Sequence, residues 1–346
     1  MNTFHTFIEQ MPKVELHVHL EGATTPATLL HLAHKNKIAL PADTVEGLQE
    51  WYRFRNFRHF VEIYLTSSQC IQSPEDIEFI TREFLKEQAR QNIVYSEVTY
   101  TAYTHWKQKG IPFDEQLDAI NRGRAWAKAH LGVDMQLIID MLREEPKRDN
   151  NMLVAEWAVS GMGKGVVALG LAGEESAGPT ERYIEMVRYA HENGLSAIIH
   201  AGEIVGADNI WDAIEMLGTV RIGHGVAAIH DPELLAYLAQ TQIPLEVCPT
   251  SNVALGVARS FGEHPLPLLK QHGLNVTVNS DDPPMFNTTL TQEYQKCMTH
   301  FGFDLVTIEQ LVLNAVRATL LSKMERSQME VAFRARFDNL HKQLGC

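Results

Sequence analysis

The chain has 346 residues, 45% of them hydrophobic and 21% charged, an ordinary globular balance with length for one large barrel or two ordinary domains. A net charge of -13 with no long basic run excludes the clustered Lys and Arg that grip phosphates, so nucleic acid is not an expected partner. No apolar run reaches bilayer length, the start "MNTFHTFIEQMPK" lacks a secretory pattern, and Cys70, Cys248, Cys297 and Cys346 form no CxxC pair, which fits a reducing cytoplasm and no membrane.

The first predicted strand is "VELHVHL", Val14 to Leu20, and it carries His17 and His19 on one face, since strand side chains alternate. Next comes "EGLQEWYRFRNFRHFVEIYL", Glu46 to Leu65, part of a long connection. Its Trp51, Tyr52, Phe54, Phe57, Phe60 and Tyr64 suit a helical insertion after the first strand that covers the active site, or a helix packed on the main body. Further strands follow at Ile93 to Tyr100, Met135 to Met141, Val166 to Leu171, Leu195 to His200, Val220 to His224, Ile243 to Cys248 and Leu274 to Asn279. Between them, "PEDIEFITREFLKEQARQ", "FDEQLDAINRGRAWAKAH" and "TERYIEMVRYAHENG" repeat apolar residues at three- and four-residue steps, as amphipathic helices do. Eight strands alternating with helices predict an α/β fold, a (β/α)₈ TIM-type barrel, read as one domain over residues 1–346. A doubly wound sheet would need a glycine-rich phosphate loop after an early strand. "GMGKG", Gly161 to Gly165, instead precedes a strand and reads as a turn.

In such a barrel the catalytic face lies at the carboxyl ends of the strands. Four of those ends carry a His or an acid: His17 and His19; His200 followed by Glu203; His224; and Asp281 with Asp282. Buried His and Asp need partners, so four such sites converging are poorly explained as packing. His17, His19, His200 and Asp281 make an N/O ligand set for Zn²⁺, with Fe²⁺ or Mn²⁺ as candidates for the same set. His224 is placed to orient a bound water or take its proton, Glu203 to donate a proton, and Asp282 to accept a hydrogen bond or hold the water. Strand four ends without a lysine to carry a bridging carbamate, which favours one ion. There is no HExxH, PCxxC or GxSxG, and Cys248 reads as a packing residue.

"PKVELHVHLEG", "HAGE", "RIGHG", "CPTSN" and "NSDDP", in that order over most of the chain, resemble the adenosine deaminase family of the amidohydrolase superfamily. The resemblance implies a barrel with one catalytic zinc and hydrolytic removal of the 6-amino group of an adenine-type substrate as ammonia. It implies that His17, His19, His200 and Asp281 hold the zinc and that Glu203 protonates N1. His224 and Asp282 would manage the water, with Asp282 facing N7, and Gly173 would contact N3 through its backbone. Glu21 stands where adenosine-specific members carry an Asp that meets the ribose, as it does in adenine-specific members. Those members in turn carry Asp where this chain has Gly223. "ARQNIVYSEVTYTAYTHW", "IPLEVCPTSNVA" and "VNSDDPPMF" look most like members acting on 6-aminodeoxyfutalosine, an adenine nucleoside with a benzoate-bearing tail. Arg53, Arg55 and Arg58 are candidates to receive that tail. The expected substrate is a purine nucleoside, adenosine or 6-aminodeoxyfutalosine. Free adenine, or another superfamily hydrolysis, is the alternative.

Overall fold

Strands Lys13–Glu15 (β1), Ile93–Tyr100 (β2), Asp134–Leu142 (β3), Val166–Ala172 (β4), Ser196–Ala201 (β5), Arg221–His224 (β6), Leu245–Val247 (β7) and Val276–Val278 (β8) pair in parallel, each with the next, in a computed structural model. The structure describes residues 3–54 and 57–346, without the side chains of Phe57 and Arg58. The proposed tail contacts Arg55 and the Arg58 side chain therefore lie outside the described residues. A parallel bridge between Val18 and Asp281 joins the first and last strand segments and curls the sheet into a (β/α)₈ barrel. Helices cover the outside, so a strand such as β5, "SAIIHA", is buried nearly throughout and reads as continuous apolar sequence.

Three of the covering helices begin the same way. Thr25, Ser73 and Asp231 cap the helices Pro26–Asn36, Pro74–Arg90 and Pro232–Thr241, each side chain accepting a backbone N–H ahead of a proline at the first helical position.

The regular part of β1 is shorter than the expected Val14 to Leu20 and ends at Glu15. Beyond it the ladder is broken up. Leu16 N donates to Asn279 Oδ1 (3.0 Å), His19 N to the Asp281 carbonyl (3.1 Å) and Leu20 N to the Thr99 carbonyl (2.9 Å). A side chain thus replaces one strand partner, and the two histidines sit in a bridge segment between the ends of β2 and β8.

The barrel interior below the site is an ion-paired stack. Arg221 Nε donates to Glu246 Oε1 and its Nη1 to Glu97 Oε2, both at 2.5 Å. Glu97 Oε1 also accepts from Leu320 N at 2.6 Å, in the turn after the helix Leu305–Ala318. Removing one partner of so enclosed a pair leaves a buried charge uncompensated.

The connection from β1 to β2 holds the helices Pro26–Asn36, Val45–Trp51, Phe57–Cys70 and Pro74–Arg90. The helix Phe57–Cys70 lies over the catalytic end, with Phe60, Val61, Tyr64 and Leu65 bordering a cavity there. Phe60 stacks on Phe286 (centroids 5.3 Å apart), and Phe54 meets both rings edge-on. Arg53 points away, exposed and paired with Glu50 at 2.9 Å.

Candidate active site

The cavity has a volume of about 310 Å³ and is bordered by His19, His200, Glu203, His224, Asp281, Asp282 and Gly173 among others. One ligand atom from each of His17, His19 and His200 lies within 4.8 Å of the others, as it does for His17, His224 and Asp281 and for His19, Asp281 and Asp282.

The ring nitrogens have assigned directions. His17 Nδ1 donates to Glu246 Oε2 (2.9 Å), and His200 Nδ1 donates to the Leu171 carbonyl (3.1 Å). Each leaves an Nε2 lone pair for the centre, and His17 Nε2 has no hydrogen-bond partner although it is buried. Asp281 Oδ1 stands 3.5 Å from His17 Nε2 and 3.4 Å from His19 Nε2. Donors about 2.1 Å from one ion stand about 3.4 Å apart at tetrahedral angles. The Asp281 distances to His17 and His19 match that spacing, and His200 lies within 4.8 Å of both histidines, a donor set that suits a metal such as Zn²⁺. Ser251 Oγ donates to Asp281 Oδ2 (2.7 Å) and fixes its remaining oxygen.

The field points the same way. Burial lowers the pKa of His19 and His200, while at His17 the carboxylates of Asp281, facing Nε2, and of Glu246, bonded to Nδ1, overcome burial and raise it. Asp281, despite its burial, is held well below the carboxylate range by His17. His19 and His200 are thus kept in the neutral form that offers a lone pair to an ion.

His224 and Asp281 have positive φ (61° and 66°), a conformation that non-glycine residues adopt where surrounding contacts impose it. A directional chain explains how His224 is held. Leu266 N, which can only donate, binds His264 Nδ1 at 3.1 Å. His264 Nε2 then donates to Asn252 Oδ1 (3.2 Å), and Asn252 Nδ2 to His224 Nδ1 (3.3 Å). His224 therefore presents Nε2–H to the cavity, 3.6 Å from Glu203 Oε2. Burial lowers its pKa to about 3, so the ring is neutral.

Glu203 is raised to about 8, by burial first and then by the charges of Asp281 and Glu175. Glu175 was not foreseen as a site residue. Its Oε2 accepts from three successive backbone groups, Glu203 N (2.9 Å), Ile204 N (2.5 Å) and Val205 N (2.9 Å), and its Oε1 from Asn209 Nδ2 (2.7 Å). One buried carboxylate thus pins the loop that carries Glu203. Asp282 is raised well above its ordinary value, by burial first and then by Asp281, and its Oδ1 lacks a partner. A Cβ on Gly22 would lie 1.5 Å from that oxygen, so only glycine leaves Asp282 its place.

Gly173 has φ +90° and borders the cavity. Glu21 does not border it. It is fully buried behind the wall, where Thr101 N and His105 Nε2 reach Oε1 (both 3.1 Å) and Tyr64 OH reaches Oε2 (3.4 Å). Cys248 is buried, its thiol pushed up by burial, and it contacts only the Glu246 carbonyl among the hydrogen bonds described.

Gly223 packs against two of the rings. A Cβ there would lie 2.9 Å from His17 Cε1 and 3.1 Å from His200 Cγ. Gly223→Ala is expected to lower Zn²⁺ affinity by about 10-fold or more, read by competition with a chelator. An unchanged affinity would show that the rings move aside freely.

The chain matches the family described as adenosine deaminase over residues 12–332. An aminodeoxyfutalosine deaminase of Streptomyces avermitilis is 35% identical over 328 residues, covering 94% of this chain and 91% of its own. An adenine deaminase of Crocosphaera subtropica is 33% identical over 326 residues, covering 94% and 99%. An amidohydrolase of Burkholderia ambifaria, solved with bound Zn, superposes with a TM-score of 0.91 at 24% identity, over 100% of this chain and 95% of that one. That last likeness speaks for the fold.

Proposed function

We propose that this chain, which belongs to the adenosine deaminase family, uses one bound Zn²⁺ to remove the 6-amino group of an adenine nucleoside, adenosine or 6-aminodeoxyfutalosine. That it is a hydrolytic deaminase follows from the family. The nucleoside and the metal are our reading, and the roles below are part of it. The observation that carries it is the pairing, across one cavity, of overlapping groups of His and Asp ligand atoms with Glu203, an acid kept protonated near neutral pH.

His17, His19, His200 and Asp281 would hold the ion, which when bound acidifies water and so supplies the nucleophile at neutral pH. Glu203 donates its proton to N1 of the purine, and the electron pair of the C6–N1 double bond moves to N1 as C6 accepts the water oxygen. Asp282, which burial and Asp281 keep protonated in the protein alone and which a bound cation would ionise, takes the proton that the water loses. His224 donates its Nε2–H to the oxygen and holds it against C6, since its tautomer leaves no lone pair on that side for a base. Asp282 then returns the proton to the amino group, the C6–N bond breaks, and ammonia leaves. The hydrogen still on the oxygen passes to the Glu203 carboxylate and restores the acid, so the product keeps the oxygen as a carbonyl and the hydrogen on N1. Gly173, with no side chain, lets the backbone approach the N3 edge.

Ammonia release from adenosine, 6-aminodeoxyfutalosine and adenine, measured separately on zinc-loaded protein, tests this reading. The highest kcat/KM on either nucleoside is the expected result. The highest on adenine would place the chain with its adenine-specific relatives, and no release from any of the three would refute purine deamination.

Glu175→Ala leaves three backbone N–H groups without their acceptor, and kcat is expected to fall by about 10- to 100-fold with a smaller change in KM. Glu175→Gln keeps an acceptor but removes the charge that raises Glu203. Most of the rate should return, with the alkaline limb of kcat/KM moved to lower pH. An unmoved limb would separate Glu175 from the acid.

A further inference from the structure

The wall formed by the ends of β1, β2 and β3 contains two buried acids, Glu21 and Asp140, and they are not equivalent. Thr101 joins them: its N–H goes to Glu21 Oε1 (3.1 Å) and its Oγ1 donates to Asp140 Oδ2 (3.2 Å). Glu21 has both oxygens taken and stands off the cavity. Asp140 is 1% exposed, borders the cavity beside Thr101, Tyr64 and Gly173, and its Oδ1 has no hydrogen-bond partner. A buried carboxyl oxygen left without a partner is costly, and nothing in the hydrolytic chemistry uses it.

We propose that Asp140 is a specificity-determining residue whose Oδ1 hydrogen-bonds a hydroxyl of the sugar on the purine, while Glu21 acts behind it by fixing Thr101 and Tyr64. This rests on the nucleoside reading above. Burial, and then the charge of Glu21, raise Asp140 well above the usual carboxylate range, which favours its neutral form. With Thr101 donating to Oδ2, the acid proton sits on Oδ1. A sugar hydroxyl accepts that proton, and it can donate instead if the acid ionises. The N9–H of free adenine can only donate.

The test measures kcat/KM for wild type, Asp140→Asn and Asp140→Ala on adenosine, on its 2′-, 3′- and 5′-deoxy analogues, and on adenine. Wild type should lose about 10- to 100-fold when one particular hydroxyl is removed. Asp140→Ala should lose as much on adenosine and nothing further on that analogue. Equal losses on every substrate, adenine included, would overturn the assignment, as would no loss on adenosine. Asp140→Asn keeps an acceptor for Thr101 and guards against a folding defect in the alanine variant. If wild type deaminates neither these nor 6-aminodeoxyfutalosine, the nucleoside reading fails on its own. Calorimetric titration with purine riboside and with free purine then reads the contact directly. A preference for the riboside that disappears in Asp140→Ala supports it, and equal affinities in wild type overturn it.

Discussion

Glu203→Gln is expected to bind zinc with wild-type stoichiometry, keep its thermal stability, and lose about 10²- to 10⁴-fold in kcat. Glutamine fills the same space above the loop held by Glu175 but has no proton to give to N1. Before the water can add, the ring must become electrophilic at C6, and no other acid with a raised pKa faces His224 at this distance among the described residues. The wild-type profile carries the same signature. Glu203 works in its protonated form, so kcat/KM falls as pH rises through its pKa, which is about 8 from the protein's own groups. A bound cation stabilises the carboxylate and moves that limb to lower pH. A glutamine variant within a few-fold of wild type would remove Glu203 from the chemistry.

His200→Ala should abolish both metal and turnover. The ring is buried, its Nδ1–H is committed to the Leu171 carbonyl, and the lone pair left on Nε2 has the other donors around it. Three remaining donors bind far more weakly, so dialysed variant should contain little zinc, and its rate should fall by about 10³-fold or more. Glu246→Gln, which touches the cluster only through His17 Nδ1, should weaken zinc by a smaller factor of about 10 to 100. Metal content by elemental analysis decides both. One zinc per chain in His200→Ala would strike that residue from the ligand set. Wild type stripped with a chelator should be inactive and recover on adding Zn²⁺.

The barrel was legible because its strands are short β-branched runs set between amphipathic helices, and β2 spans the residues its sequence predicts. The convergence of His17, His200, Glu203, His224 and Asp281 was legible because barrel topology brings strand ends together whatever lies between them in the chain. The supporting groups were not. Glu175 reads as a surface acid until the loop at residues 203–205 is seen wrapped around it. Asn252 and His264 matter only as members of a chain that ends at His224. Ser251 lay in the quoted motif "CPTSN", yet nothing in its spacing shows that it donates to Asp281. That Glu21, read as the residue on the substrate side, stands off the cavity while Asp140 borders it was hidden for the same reason. Which of two neighbouring acids meets the cavity depends on where Thr101, His105 and Tyr64 spend their hydrogen bonds.

The Glu97–Arg221–Glu246 stack holds His17 from beneath through protein groups alone, and Leu320 anchors it to the far end of the barrel. A ligand fixed in this way is preorganised, so the ion enters a finished socket and does not have to fold one. Zinc exchange should then resemble unplugging more than melting, with most of the protein's cooperative stability surviving in the stripped form. Such a chain can be made before its metal arrives and loaded afterwards, and the supply of divalent ions around it then decides which of them it works with.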